Sequence, residues 1–184
     1  GSVDLKPIGS NAGTYIGLLG GTMPLSGAAT MPLYMDPGVT ISLSSAGGKD
    51  VGPLSGSTTM PSQVTWTNRD AITSVDRTVP LTFQWTGGDP TRNLIVVGGS
   101  SDSKTKASGG FLCLVPVSAG KFTVPLSILA DLPVTRPLTG KDDAFGGIGI
   151  LSAPVITSPA FTASGLDAKV VLGGWASIKT VQIK

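Results

Sequence analysis

Glycine and proline interrupt this chain along its whole length. The 184 residues include 26 glycines and 14 prolines, and both residue types disfavour the interior of a helix. Hydrophobic residues make up 40% of the chain and charged residues only 13%, a balance too apolar and too weakly charged for intrinsic disorder. A chain of this length buries roughly 70% of the surface that it exposes when unfolded. The sequence therefore predicts a folded, β-rich protein without long helices.

Short stretches of alternating apolar and polar residues lie between these interruptions. In the clearest one, Leu81, Phe83 and Trp85 share one face, threonine and glutamine occupy the other, and the turn sequence GGDP follows. This pattern predicts a half-buried strand. Comparable runs cover residues 14–19, 29–35, 39–43, 55–60, 63–67, 94–97, 111–115, 121–124, 148–151, 169–172 and 178–183.

These runs predict an all-β fold, an Ig-like antiparallel β-sandwich of about ten to twelve strands. At most one short helical turn is expected, between Ser127 and Ala130, because Pro133 must end it. The chain is expected to form one unit over residues 1–184. The alternative is an N-terminal β-layer, 1–61, packed on a larger sandwich, 62–184.

Two segments carry more specific structural expectations. The Gly/Ser-rich residues 98–110 predict an exposed hairpin loop. Near the C-terminus the alternation shifts, since Ala176 and Ile178 share one face whereas Val181 and Ile183 share the other. A β-bulge would accommodate this shift.

The chain lacks the residue types that most catalytic and metal-binding sites require. The chain has no histidine, no glutamate and one cysteine, so zinc sites and common acid/base pairs are excluded. Asp142 and Asp143 form the only adjacent acidic pair, and a turn is the preferred interpretation, although calcium binding is left open. Two Ser-x-x-Lys spacings occur in the 98–110 segment, where no helix would align them. We predict no enzyme activity, no catalytic residue, no cofactor and no metal.

Charge and hydropathy limit the partners. The formal net charge is +2, the basic residues are scattered and aromatic residues are 5%, so no nucleic-acid partner is expected. The longest apolar run, from Phe111 to Val117, is too short for a membrane helix, and no transmembrane segment is expected. Apolar neighbours predict that Cys113 is a small buried hydrophobe.

Tryptophans and paired charges suggest further roles. Trp66 and Trp85 lie in strongly alternating runs and are expected in the core, whereas Trp175 follows two glycines and is expected to be more exposed. An exposed tryptophan is compatible with stacking on a polysaccharide. In the segment 67–77, two arginines and two aspartates are expected to form ion pairs that fix a connection between strands.

Several longer strings resemble a protein family. They are GGKDVGPLSGS (47–57), VTWTNRDAITSVDR (64–77), LTFQWTGGDP (81–90), FLCLVPVSAGKFTVPLSILADLP (111–133) and FTASGLDAKV (161–170). Together they are similar to the C-terminal region of large secreted proteins of soil Acidobacteria. The resemblance covers the chain from about Ala46 and implies an extracellular, modular, all-β protein, with no catalytic residue to carry over. The stretch Leu114-Val115-Pro116 replaces a more polar Thr-Ala-Pro of that pattern.

These observations favour a non-catalytic module of the extracellular space or cell surface that serves structure or adhesion, with other copies of the protein or cell-surface components as partners. One alternative is a filament subunit that adds a terminal segment to the sheet edge of the next copy. The candidate residues for that strand are Val3, Leu5 and Ile8 at one end and Ile178, Val181 and Ile183 at the other. A second alternative is carbohydrate binding through Trp175.

Overall fold

The computed structural model describes residues 6–7, 15–16, 35–102, 104–135, 144–153, 161–165 and 173–184. The predicted strand at 169–172, most of that at 29–35, the Asp142-Asp143 pair and the residues Val3, Leu5 and Ile8 lie outside this part.

Strands dominate the described chain, as predicted, and the all-β sandwich class is confirmed. Fourteen strands are described, slightly more than predicted, because several comprise only two residues. They are β1 (Lys6–Pro7), β2 (Tyr15–Ile16), β3 (Thr40–Ser45), β4 (Leu54–Thr59), β5 (Val64–Trp66), β6 (Ser74–Val75), β7 (Leu81–Gly87), β8 (Asn93–Asp102), β9 (Ala107–Pro116), β10 (Lys121–Val124), β11 (Ala144–Ser152), β12 (Phe161–Thr162), β13 (Ala176–Thr180) and β14 (Gln182–Ile183). A 3₁₀ turn, Val117–Ala119, and one short helix, α1 (Leu126–Ala130), complete the described elements, and α1 confirms the predicted helical turn.

Two antiparallel sheets enclose the main core. One has four strands in the order β13-β11-β8-β9, and the other has three in the order β10-β7-β5. A second three-stranded sheet, β12-β4-β3, and the pairs β1-β2 and β14-β6 make up the rest of the described strands. Among the described strands, only β14 and β6 pair in parallel.

The core forms between the inner faces of these two sheets. Phe83 on β7 is fully buried and stacks on Trp66 of β5, with their ring centroids 5.1 Å apart. From the opposite sheet, Leu94 and Val96 of β8 contribute side chains with no exposed surface. Burying one such side chain stabilises the fold by about 1.5–3 kcal/mol. The alternation in β7 thus produces the predicted half-buried strand, and Trp66 and Trp85 lie in the core as predicted.

The predicted exposed loop at 98–110 is wrong. Strand β8 continues to Asp102 and β9 begins at Ala107, so only residues 103–106 connect them. The glycines serve packing within the hairpin. A side chain on Gly98 would meet the ring of Phe111 at 2.5 Å, since that ring lies against the bare backbone.

The shift in alternation near the C-terminus also has a different cause. Instead of one bulged strand, the chain leaves the four-stranded sheet after β13 and pairs with β6 through β14. At the crossing, the Val181 N–H donates to the carbonyl of Gly146 over 2.9 Å. Ile178 faces outwards whereas Val181 and Ile183 face the core, so the apolar residues change face without a bulge.

Strand β3 forms where alternation predicted it, but its apolar side chains do not join the main core. Val39 is 42% exposed and precedes the strand, and Ile41 and Leu43 are only half-buried. The core cluster is built from other strands.

Candidate functional site

The side of the four-stranded sheet that faces away from the core is apolar. The inner positions of β8 and β11 hold buried residues such as Leu94 and Ile148, and the positions between them face outwards. We define the outer apolar face by the large hydrophobic residues at these outward positions. They are Ile95, Val97, Leu112, Leu114, Phe145, Leu151 and Ile178.

Strand register brings these side chains together. Ile95 lies opposite Leu114 on one side and opposite Leu151 on the other, which forms a continuous row across β9, β8 and β11. In the next row Val97 lies opposite Leu112. Directly opposed side chains on one sheet face are close enough to pack against each other. The face is therefore one contiguous patch.

Glycines make the surface of the patch uneven, because side chains project next to bare backbone. The ring of Phe145 lies 3.1 Å from the position that a Cβ of Gly147 would occupy, and Ile178 covers Gly149 at the same distance. Next to them, Gly99 and Gly110 lie opposite each other in the β8–β9 pairing. Neither carries a side chain, so a shallow trough lies beside the leucines of β9.

The patch is uncharged, and three of its seven members are exposed while Ile95, Val97, Leu151 and Ile178 are half-buried. Leu112 is 67% exposed, Leu114 is 61% exposed and Phe145 is 37% exposed, among the largest values for big hydrophobic side chains in the described chain. No outward-facing position of β8, β9, β11 or β13 holds a charged residue. Contiguous exposed apolar patches of this kind mark interaction surfaces in soluble proteins.

The two edges of the same sheet differ. At β13, the guanidinium of Arg69 donates to the carbonyl of Ile178 over 3.2 Å, and the Lys179 ammonium donates to the carbonyl of Arg69 over 2.9 Å. These contacts block that edge. At the opposite edge, β8 is the only described strand that pairs with β9, and β9 contains no charged residue. Natural proteins normally protect such edges with charges, prolines or bulges.

The structure places the predicted C-terminal interaction residues in different environments. Ile178 belongs to the outer apolar face, whereas Val181 and Ile183 are 5% and 0% exposed and lie in the core. Strand β14 is held by the parallel pairing with β6 and by the Ile183 N–H, which donates to the hydroxyl of Thr135 over 2.8 Å. This segment is thus already paired within its own chain. The N-terminal candidates lie outside the described residues.

Trp175 is more exposed than the core residues Trp66 and Trp85, as predicted. It is half-buried and packs against the core cluster. Its indole N–H donates to the carbonyl of Ser62 over 3.1 Å, and its backbone N–H donates to the hydroxyl of Ser152 over 2.9 Å. These bonds fix the ring against the sandwich.

The charges of residues 67–77 act mainly on backbone groups. One ion pair is present, between Arg69 and Asp70 at 3.1 Å, and both side chains are well exposed, so its contribution is small. The guanidinium of Arg77 donates to the carbonyls of Ala130, Leu132 and Lys184 at 3.0–3.2 Å. The ion-pair prediction is therefore right for Arg69 and wrong for Arg77, which ties three segments of chain together through their carbonyls.

The thiol, the metal-ligating side chains and the helices of the described part were the remaining candidates for a site. Cys113 is half-buried on the inner side of β9, and burial raises the pKa of its thiol, which disfavours the reactive thiolate. No group of three potential metal-ligating side chains is found in the described ranges. No helix in the described part is long and apolar enough to cross a membrane.

Sequence reasoning missed Leu112 and Leu114 as surface residues. The consecutive apolar residues of the run FLCLVPV predict a strand and a buried Cys113, and they do not separate the two faces of that strand. The sequence nevertheless contained a signal for the outer face. Odd and even positions of an antiparallel strand face opposite sides, so when both are apolar one set lies outside the core.

The comparisons with known proteins add no family to this description. The chain matches no protein family, no curated protein and no solved structure.

Proposed function

We propose that this chain is a non-catalytic module of the extracellular space or cell surface, serving structure or adhesion through the outer apolar face. The observation that carries the proposal is the exposure of Leu112 and Leu114 in an uncharged, contiguous patch. A rigid sheet supplies such a patch at low entropic cost because its side chains are already ordered by their neighbours.

Composition and resemblance support the extracellular part of the proposal. The chain contains no glutamate and is rich in threonine, serine and glycine, and its motifs resemble those of secreted proteins of soil Acidobacteria. The arrangement of side chains supports the non-catalytic part. The one described thiol is held in its unreactive form by burial, and the two arginines of residues 67–77 donate to main-chain carbonyls.

The location can be tested on intact cells of the source organism. A protease added outside the cells is expected to remove the protein, as detected with an antibody. Protection of the protein until the cells are lysed would contradict the proposal.

The role of the face can be tested with purified protein and cell-envelope fragments from the same organism. The wild type is expected to bind the fragments, and the double variant Leu112→Ser/Leu114→Ser is expected to lose most of this binding. Val79→Ser is a matched control because Val79 is 54% exposed but lies in the turn before β7. Equal binding by all three proteins would remove the outer apolar face from the proposal.

A second candidate is a filament subunit that accepts a strand from the next copy. The outer edge of β9 favours it, since this ten-residue strand pairs with β8 on one side, has no described partner on the other and can hydrogen-bond a further strand there. The donor is expected to come from the N-terminal residues Val3, Leu5 and Ile8, because β14 is engaged within its own chain.

Deletion of residues 1–12 distinguishes this candidate. We expect it to abolish polymers, seen by negative-stain electron microscopy, and to leave a folded monomer. Polymers that persist after this deletion and after removal of residues 177–184 would exclude strand donation by either terminus.

A further inference from the structure

We infer that the partner of the outer apolar face is a second copy of this chain, docked face to face about a two-fold axis. The inference rests on the proposed function, in that it names the occupant of the same surface. Two sheets stacked in this way would lie about 10 Å apart with their side chains interdigitated.

Charge is the first argument for a second copy. A two-fold interface places each residue opposite residues of the same patch, so a face with charges of one sign would repel its own copy. The outward positions of the four strands are free of charged residues. A charge-free face is compatible with itself, whereas an acidic or basic partner would find no complement there.

The size of the face is the second argument. Strands β8 and β9 have ten residues each and β11 has nine. Strands of that length span about 33 Å, and four strands cover about 19 Å, so the footprint is on the order of 600 Å² per copy. The total for two copies, about 1,200 Å², reaches the lower limit of standard protein interfaces.

The relief of the face is the third argument. Leu112 and Leu114 project from β9, while Gly99 and Gly110 leave a trough next to them. A two-fold axis that passes between the leucines and the trough would place the leucines of one copy over the trough of the other. Projections and depressions within one patch allow the close packing that stable interfaces require.

The mass of the purified chain in solution tests the inference. Sedimentation velocity over a wide concentration range is expected to show a reversible species of twice the 18.5 kDa chain mass. Leu112→Ser/Leu114→Ser is expected to raise the dimer dissociation constant at least about tenfold, because each substitution occurs twice in a symmetric dimer. Val79→Ser is expected to leave the dissociation constant unchanged.

A third variant separates face-to-face docking from pairing of two β9 edges. Phe145 lies on β11, two strands away from that edge, so Phe145→Ser weakens a face-to-face dimer and leaves an edge-paired dimer intact. Circular dichroism and urea unfolding confirm that each variant is folded. A dimer insensitive to Phe145→Ser would overturn the inference.

A protein that stays monomeric at every concentration would also overturn the inference. In that case, envelope binding that still depends on Leu112 and Leu114 would preserve the proposed function and assign the face to a different partner. A protein that stays monomeric and whose envelope binding does not depend on Leu112 and Leu114 would reject the inference and the proposed function together.

Discussion

The two sheets that enclose the core have opposite outer faces. On the three-stranded sheet, outward positions hold threonine, glutamine and lysine, and the hydroxyls of Thr82 and Thr123 hydrogen-bond across β7 and β10 at 2.8 Å. On the four-stranded sheet, the equivalent positions hold leucine, isoleucine, valine and phenylalanine. Both sheets bury their inner faces in one core. An antiparallel sheet with one wet side normally alternates apolar and polar residues, as the three-stranded sheet does.

The difference supports the proposal that the outer apolar face is an interaction surface. The three-stranded sheet folds with a polar outer face, whereas the four-stranded sheet carries hydrophobic residues at 95, 97, 112 and 114. An apolar sheet face that water covers is disfavoured by about 25 cal/mol per Å² relative to a buried one. Substitutions on the inner and outer faces of each sheet test this comparison.

The largest effect is expected on the inner side of the three-stranded sheet. Phe83→Ala removes a fully buried ring that stacks on Trp66 and leaves a cavity. We expect a loss of about 3–5 kcal/mol in the free energy of unfolding, measured with urea. The neighbouring variant Gln84→Ala, on the polar outer side, is expected to change it by less than about 0.5 kcal/mol. Similar losses for the two variants would contradict the assignment of faces.

A smaller effect is expected from two consecutive residues of β9. Val115→Ser places a hydroxyl in the core, where Val115 is 5% exposed, and we expect a loss of about 2–4 kcal/mol in the free energy of unfolding. Leu114→Ser on the opposite face is expected to change the stability of the monomer by at most about 0.5 kcal/mol while reducing the binding of an apolar dye. A large loss of monomer stability from Leu114→Ser would show that the outer face is covered within the chain.

A still smaller effect on the free energy of unfolding is expected at the blocked β13 edge, where the substitution removes one hydrogen bond. Arg69→Ala removes the bond to the Ile178 carbonyl, and we expect a loss of about 1 kcal/mol in the free energy of unfolding. It also opens the β13 edge, so the variant is expected to aggregate faster than the wild type on heating, as seen by light scattering. Arg92→Ala is a matched removal of an arginine that lies outside this edge. Equal aggregation by the two variants would argue against protection of the edge by Arg69.

The smallest effect is expected on the thermal stability of the protein in acid. Hydrogen bonds from the hydroxyl and the backbone N–H of Thr78 lower the pKa of Asp76, and those of Thr91 lower the pKa of Asp89. A carboxyl group whose pKa is lower in the folded state stabilises the fold fully above its unfolded value of about 3.9 and loses this contribution as the pH falls through the folded value. We therefore expect a slight decrease in the thermal midpoint below about pH 4.

The double variant Asp76→Asn/Asp89→Asn controls for the other carboxyl groups. It is expected to show a smaller decrease in the thermal midpoint over the same pH range. An identical decrease in the two proteins would assign the acid sensitivity elsewhere.

Local sequence patterns predicted the elements that have one side in the core and the other side in water. The alternation around Phe83 and Trp85 specifies which side is buried, and Pro125 and Pro133 bracket α1, the one α-helix in the described ranges. The class of fold follows from such elements because each one carries its own periodicity and its own end signals.

The remaining errors have a physical origin in contacts between distant residues. Strand β6 has only two residues, and it exists because Val75 pairs with Ile183, which no local pattern encodes. The glycines of β8 and β9 resemble loop residues in sequence, yet Gly98, Gly99 and Gly110 pack against the opposite strand of the hairpin, and Gly109 packs against residues 131–133. The outer apolar face escaped prediction for the same reason, because its members lie on four strands that only the register brings together.

The pairing of β14 with β6 also has a consequence for the order of folding. It joins Val75 to Ile183, and the bond from Arg77 to the Lys184 carbonyl spans 107 residues of sequence. Contacts between such distant residues close large loops and form slowly. During synthesis, the core around Val75 cannot close until the last strand has been made, so the nascent chain must keep that apolar surface from premature association.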